Sequence, residues 1–542
     1  MKRKRRLGFK AGVGICLIIV GLLLLLGRLG YGIINEIKDD TKPVDTSAAE
    51  NISRGSLDVE RLGDLGTRIV NHQDGYEFQT SWTYAGNVSL TPLELEIDRG
   101  NKIYKIYTED LETSQGVADY VAYSGKFLDN QSDHIVQPTQ TLYYNNHKVT
   151  VNAWTRNRLG AAEDLGEEVE SVNENDMNHY ICADVELENC RVCTIYLKSS
   201  VDVTFEGDVL EIVNSMKTLD EAKSDKASAN VRSYWNAKTK KVYKKLFGED
   251  KGLTWGIYKW GIGADFNELY YIEEQVDYQF PVLLHYTHFD SEEETLEDVR
   301  ARLKEADKMG RTMELTLQTM NDDTGNVVYR ILNGEYDEYL NQLADILVTE
   351  RIPVLFRPFN EMNGDWCAYS AYHTSRDTEV FKTLYKYVFE LFRTRGADAY
   401  TIWVWNPNER SFPDYKWNNE YEYYPGDEYV DVVGITGYNN GTYYEGETWR
   451  TFDEIYEPLY SKTVTNYNKP IMITEFACSN AGGDKEDWVK DMFRSIGKYD
   501  KIKVAVWWDG IDLDENGEIA RSYRLEDEDV VKVFKRNLKN YK

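Results

Sequence analysis

Between residues 252 and 542, short apolar runs alternate with longer stretches whose apolar positions recur every three or four residues. The runs are LTWGIY, FPVLLHY, TMELTLQ, IPVLFRPF, YTIWVW, VDVVGIT, KPIMITEF and IKVAVWW. Near-continuous apolar character over so few residues predicts strands covered on both faces, as in a parallel sheet. Charged amphipathic segments such as EEETLEDVRARLKEADKMG, EYDEYLNQLADILVTER and TEVFKTLYKYVFELFRTRG separate most of them and predict helices. Eight such units predict an α/β fold closed into a (β/α)8 TIM barrel, with functional groups at the carboxyl ends of the strands. An open doubly wound sheet would typically carry a glycine-rich phosphate loop, and GIGADF lacks the third glycine.

Upstream the pattern changes. Residues 57–222 hold short β-branched and aromatic runs such as YEFQTSWTY, TLYYNNHKVTVNAWTR and HYICADVEL, with turn residues between them. With one or two helical stretches, such as SQGVADYVAYSGKFL and GDVLEIVNSMKTL, they predict an α+β domain with an antiparallel sheet. It carries no catalytic constellation, and sugar binding, protein docking and spacing all stay open for it. Residues 223–251 read as a polar helical connector and 35–56 as a linker.

Residues 1–34 set the expected location. MKRKRRLGFK precedes an uncharged apolar run over residues 11–27, which RLGYGII extends. That length is the lower limit for a spanning helix, and no small-x-small cleavage site follows it. The expectation is an uncleaved single-pass anchor in the cell membrane, with the basic tail cytoplasmic and the rest extracellular.

Charge narrows the partners. The net charge is −29, and the seven bases of residues 1–28 leave −36 on everything that follows. A polyanion of that size repels nucleic acid, whereas 40 Tyr and 13 Trp suit the faces of neutral sugars. Outside the cell a disulfide is permitted, and YICADVELENCRVCTIYL reads as a hairpin that could set Cys182 against Cys193. A lone Cys-x-x-Cys is weak as a zinc site, and the pair His285 and His288 lacks a third ligand. No metal or cofactor is expected.

The chemistry concentrates at two strand ends. Glu361, in VLFRPFNEMNGDWCAYS, ends the fourth strand candidate, and Glu475, in PIMITEFACS, ends the seventh. Two carboxylates buried at a barrel mouth are costly unless used or paired. Facing each other, they supply what glycosidic hydrolysis needs: one protonates the departing oxygen, the other attacks or activates water. Arg357, four residues before Glu361, is placed by alternation on the same face, where it could keep the second carboxylate ionised while the first retains a proton.

The stretch GEYDEYLNQLADILVTERIPVLFRPFNEMNGDW, with VVGITGYN and PIMITEF after it, resembles glycoside hydrolase family 26 over roughly residues 250–540. The resemblance implies a retaining, endo-acting glycosidase on a β-linked polysaccharide, of β-mannan or β-1,3/1,4-glucan type. It implies Glu361 as acid/base, Glu475 as nucleophile, Trp366 as a subsite floor, Tyr438 as a hydrogen-bond donor to the nucleophile, and Trp507 or Trp508 beneath the reacting sugar. Two positions depart from the family's pattern. Asn360 replaces its histidine, matching a wider clan in which this amide contacts the sugar 2-hydroxyl, and Thr436 stands where an acid is common. Both departures shift the expectation toward a glucan.

His285, after the second strand, and Asn406, after the fifth, are further sugar-contact candidates. Trp255, Trp260, Trp403 and Trp405 could build subsites, although strand aromatics more often fill cores. A non-hydrolytic polysaccharide-binding or assembly protein that keeps the barrel as scaffold is the alternative. An enzyme trimming polymer from its own cell, docked to an exopolysaccharide-synthesis partner, fits the expected tether.

Overall fold

The computed structural model describes residues 52–541 apart from short internal segments, of which 160–174 and 220–234 are the longest. The anchor read over residues 11–27 and Trp260 lie outside the described residues. Among the described residues, no helix is long and apolar enough to cross a membrane.

Eight parallel strands close into a barrel: β1 (Thr254–Lys259), β2 (Val282–His288), β3 (Thr312–Gln318), β4 (Val354–Pro358), β5 (Thr401–Trp405), β6 (Val432–Thr436), β7 (Ile471–Phe476) and β8 (Ile502–Asp509). β8 pairs with β1, so no edge is left unpaired. Each strand overlaps one of the eight apolar runs, with β1, β2 and β8 extending one or two residues past the run's end. Alternation sorts their side chains. Trp255, Trp403, Trp405 and Trp507 face outward into the layer beneath the helices, all wholly buried. Their neighbours Val404, Val504 and Val506 face inward and meet Leu284, Leu355 and Met472. The helix Ala237–Phe247 closes the amino-terminal end with Leu246 and Phe247, beside Trp235, whose indole donates to Thr401 O at 2.9 Å.

The amino-terminal domain has two antiparallel sheets, of five and eight strands. Ile69, Phe78, Ile106, Val149 and Ile195 fill its core, and Val117–Ser124 and Leu210–Ser215 are its α-helices. Ile52 and Ser53, inside the stretch read as linker, pair with Val59 and Asp58. The predicted hairpin is present as His179–Glu186 and Arg191–Ser199, but its register corrects the disulfide. Cys182 lies opposite Tyr196, and Cys193 opposite Val185. Three residues of offset put the two thiols on opposite faces of the sheet, so both are free and buried.

Candidate active site

Two local irregularities aim the glutamates. β4 ends at Pro358, and Phe359 and Glu361 then adopt left-handed backbone, with φ of 55° and 56°. Such conformations are costly outside glycine and persist where surroundings enforce them. Here the Phe359 N–H donates to Leu317 O at 2.8 Å, and the Glu361 N–H to Asn406 O at 2.7 Å. Simple alternation therefore stops at β4, and Asn360 and Glu361 both line the cleft. On β7 the register slips between Ile473 and Phe476. That bulge turns Glu475 inward although Phe476 packs outward, the re-aiming that bulges commonly provide.

The two carboxyls sit in contrasting surroundings. Glu475 pairs with Arg357 Nη1 at 2.7 Å and accepts hydrogen bonds from Tyr438 at 2.9 Å and from Tyr286. Arg357 is wholly buried. It also pairs with Glu314 at 3.0 Å and donates to Thr316 at 2.8 Å and Asn406 Oδ1 at 2.8 Å. Glu361 pairs with no cation among the described residues. It accepts from Asn408 Nδ2 at 2.7 Å and from the Trp366 indole at 3.3 Å. Burial, then the negative charge of Glu475, raises its pKa to about 7. Glu314 rises to about 8, chiefly because it is buried.

Both glutamates open into a cleft of about 1200 Å³ at the carboxyl ends of the strands. Tyr258 and Trp508 stack on one side, centroids 5.4 Å apart, while Trp366 and Phe412 form an exposed pair on the other. The structure thus brings Glu361, Glu475, Arg357, Asn360, Trp366, Tyr438 and Trp508 to one place. Asn406 stands behind the cleft, binding Arg357 and Thr436.

Three expectations are corrected, all by strand parity. Trp405 faces outward against Tyr424 and Tyr467, and Trp507 against Phe534, so neither reaches sugar and Trp508 is the cleft tryptophan. His285 also faces outward, paired with Glu294 at 2.8 Å, and burial lowers its pKa to about 3. Its neighbours Tyr286 and His288 line the cleft instead. Four residues were missed: Glu314, Tyr286, Asn408 and Tyr258. Glu314 had a legible signal, a lone carboxylate inside the apolar run TMELTLQ.

Residues 307–501 match the model of glycosyl hydrolase family 26, a span that includes both glutamates. Over 182 residues the chain is 34% identical to Endoglucanase H of Acetivibrio thermocellus, covering 33% of this chain and 20% of that protein. Over 166 residues it is 31% identical to a mannan endo-1,4-beta-mannosidase of Bacillus subtilis strain 168, covering 30% of this chain and 40% of that one. The matches thus span between one-fifth and two-fifths of these relatives. The catalytic domain of a family 26 endo-beta-1,4-mannanase from Bacillus sp. JAMB-750 aligns over 57% of this chain and 91% of its own, at 18% identity and a TM-score of 0.44. The fold rests on the closed barrel itself, and the chain is family 26-like.

Proposed function

We propose that this protein hydrolyses internal β-glycosidic bonds of a neutral polysaccharide with retention of configuration. One observation carries the reading: two glutamates in one cleft, one tied to a buried arginine and two phenols, the other held by an amide and an indole with its pKa raised to about 7. In the first step a Glu475 oxygen attacks the anomeric carbon. The glycosidic C–O bond breaks as the leaving oxygen takes the proton from Glu361. In the second, Glu361 removes a proton from water, whose oxygen attacks the same carbon and releases Glu475. Arg357 supports Glu475 as the attacking anion, and Trp508 lies beside Tyr438 as a platform for the reacting ring. Asn360, which lines the same cleft, is the residue this reading assigns to the sugar 2-hydroxyl.

The relatives are named for glucan and mannan cleavage, which supports a β-linked substrate of β-mannan or β-1,3/1,4-glucan type. The apolar run at residues 11–27 supports a single-pass anchor with the barrel outside the cell, acting on polymer that the same cell exports through a synthesis partner.

The test is a product assay of the full chain on mannan, mixed-linkage glucan, xylan and β-1,3-glucan. Short oligosaccharides from one β-linked polymer are expected, and none from Glu475→Ala. Tight binding with no cleavage of any polymer would instead favour the scaffold reading.

A further inference from the structure

The segment from Phe359 to Asp377 carries Glu361 and Trp366 at its inner end, and its outer end is gripped by the amino-terminal domain. At that end Ser375 and Arg376 hold left-handed backbone, φ 63° and 56°, and both are buried. Arg376 donates to Tyr107 at 2.9 Å and Tyr120 at 3.2 Å. Asp377, which also caps the helix Thr378–Thr394, accepts from Tyr180 at 2.8 Å and faces Lys198 at 3.4 Å. Ser375 meets His134 at 2.8 Å and Tyr196 at 3.1 Å. Nearer the cleft, Tyr123 donates to Asp365, the residue before Trp366.

A second segment is held in the same way. Lys416 pairs with Asp74 at 2.7 Å and donates its backbone N–H to Glu109, while Glu422 pairs with Lys105 at 3.0 Å. This segment starts at Asn408, which binds Glu361, and it is locked to the first through Asn363, whose backbone oxygen accepts from Phe412 N at 2.8 Å and Asn418 at 2.9 Å. The hydrogen bonds and ion pairs of Glu475, in contrast, come from β2, β4 and the end of β6, all within the barrel.

We propose that the amino-terminal domain is a positioning element for proton donation: by fixing the outer ends of two barrel loops it sets the place of Glu361 and Trp366 on the leaving-group side, without acting on Glu475. A passive spacer would need no buried arginine and aspartate at its contact, since burying such charges is unfavourable unless each is partnered. The inference rests on Glu361 being the acid.

The experiment measures kcat/KM of the full-length protein and of Arg376→Met, Tyr123→Phe and Tyr180→Phe on two aryl β-glycosides, one with a phenol leaving group and one with dinitrophenol. Only the poorer leaving group needs the proton. Arg376→Met is expected to lose about 10- to 100-fold on the phenyl glycoside and to change little on the dinitrophenyl one. Tyr123→Phe should show a smaller loss with the same split, and it decides the matter if Arg376→Met does not fold by circular dichroism. Equal losses on both substrates, or none on either, would overturn the proposal. A wild-type protein inert on both would overturn the glycosidase reading itself, and the inference with it, an outcome separate from a missing split.

Discussion

Glu361 needs its proton for the first chemical step, and its pKa near 7 sets where that proton is lost. As pH rises through 7 the acid ionises, so kcat/KM on polysaccharide should fall across that point. Replacing Glu361 by Ala should remove the fall, slow polysaccharide cleavage about 10²- to 10⁴-fold and spare dinitrophenyl glycosides. A variant equally slow on both substrates would show that Glu361 is not the donor. The same shift acts on folding. A carboxyl raised in the folded state contributes stability that is complete below its ordinary value near 4.5 and is lost as pH rises through about 7. Glu361→Gln should therefore be more stable than wild type at pH 8, by about 1–3 kcal/mol, toward the low end because cleft water screens a half-buried group. Urea denaturation at pH 5 and pH 8 measures it, and parallel curves for the two proteins would contradict it. Arg357 is the opposite case. Arg357→Met strands Glu314 and Glu475 without their shared cation, and a loss of about 3–5 kcal/mol is expected.

At the scale of strands, the closed sheet places catalysis only where its regularity breaks. β6 and β7 approach so closely at Gly434 that an added Cβ would lie 2.5 Å from Thr474 Cγ2, one residue from Glu475. Gly434→Ala should cost about 1–3 kcal/mol of stability and more in rate than in binding, because the bulge that aims Glu475 must shift. An unchanged melting temperature and rate would show that the strands absorb the methyl. All eight strands were legible because burial on both faces leaves unbroken apolar runs such as VDVVGIT. The facing of residues at strand ends was less so. Trp405, Trp507 and His285 sit at the ends predicted to be functional but on the outward parity, and a shift of one residue turns a subsite candidate into core. Glu361 and Glu475 were found as strand-end carboxylates, yet neither the left-handed turn nor the bulge that aims them has a signature as plain as a glycine.

On the whole-molecule scale, the proposed chemistry lies in the barrel, and residues 57–222 are joined to it by ion pairs such as Lys198 with Asp377. The contacts of residues 57–222 with the barrel join groups 179 to 342 positions apart, such as Lys198 with Asp377 and Asp74 with Lys416. No local pattern encodes such pairings, which is why that domain's role was open from sequence. Removing residues 1–34 should move the protein from the membrane to the soluble fraction with its kcat unchanged; a full-length protein already soluble would contradict the anchor. The account's central claim, covalent catalysis by Glu475, is tested most directly by trapping. An activated 2-deoxy-2-fluoro β-glycoside of the preferred sugar should inactivate the enzyme, adding one sugar per chain on the peptide that contains Glu475. Inactivation with the label on another residue, or turnover that releases the α-anomer with no covalent adduct, would contradict it.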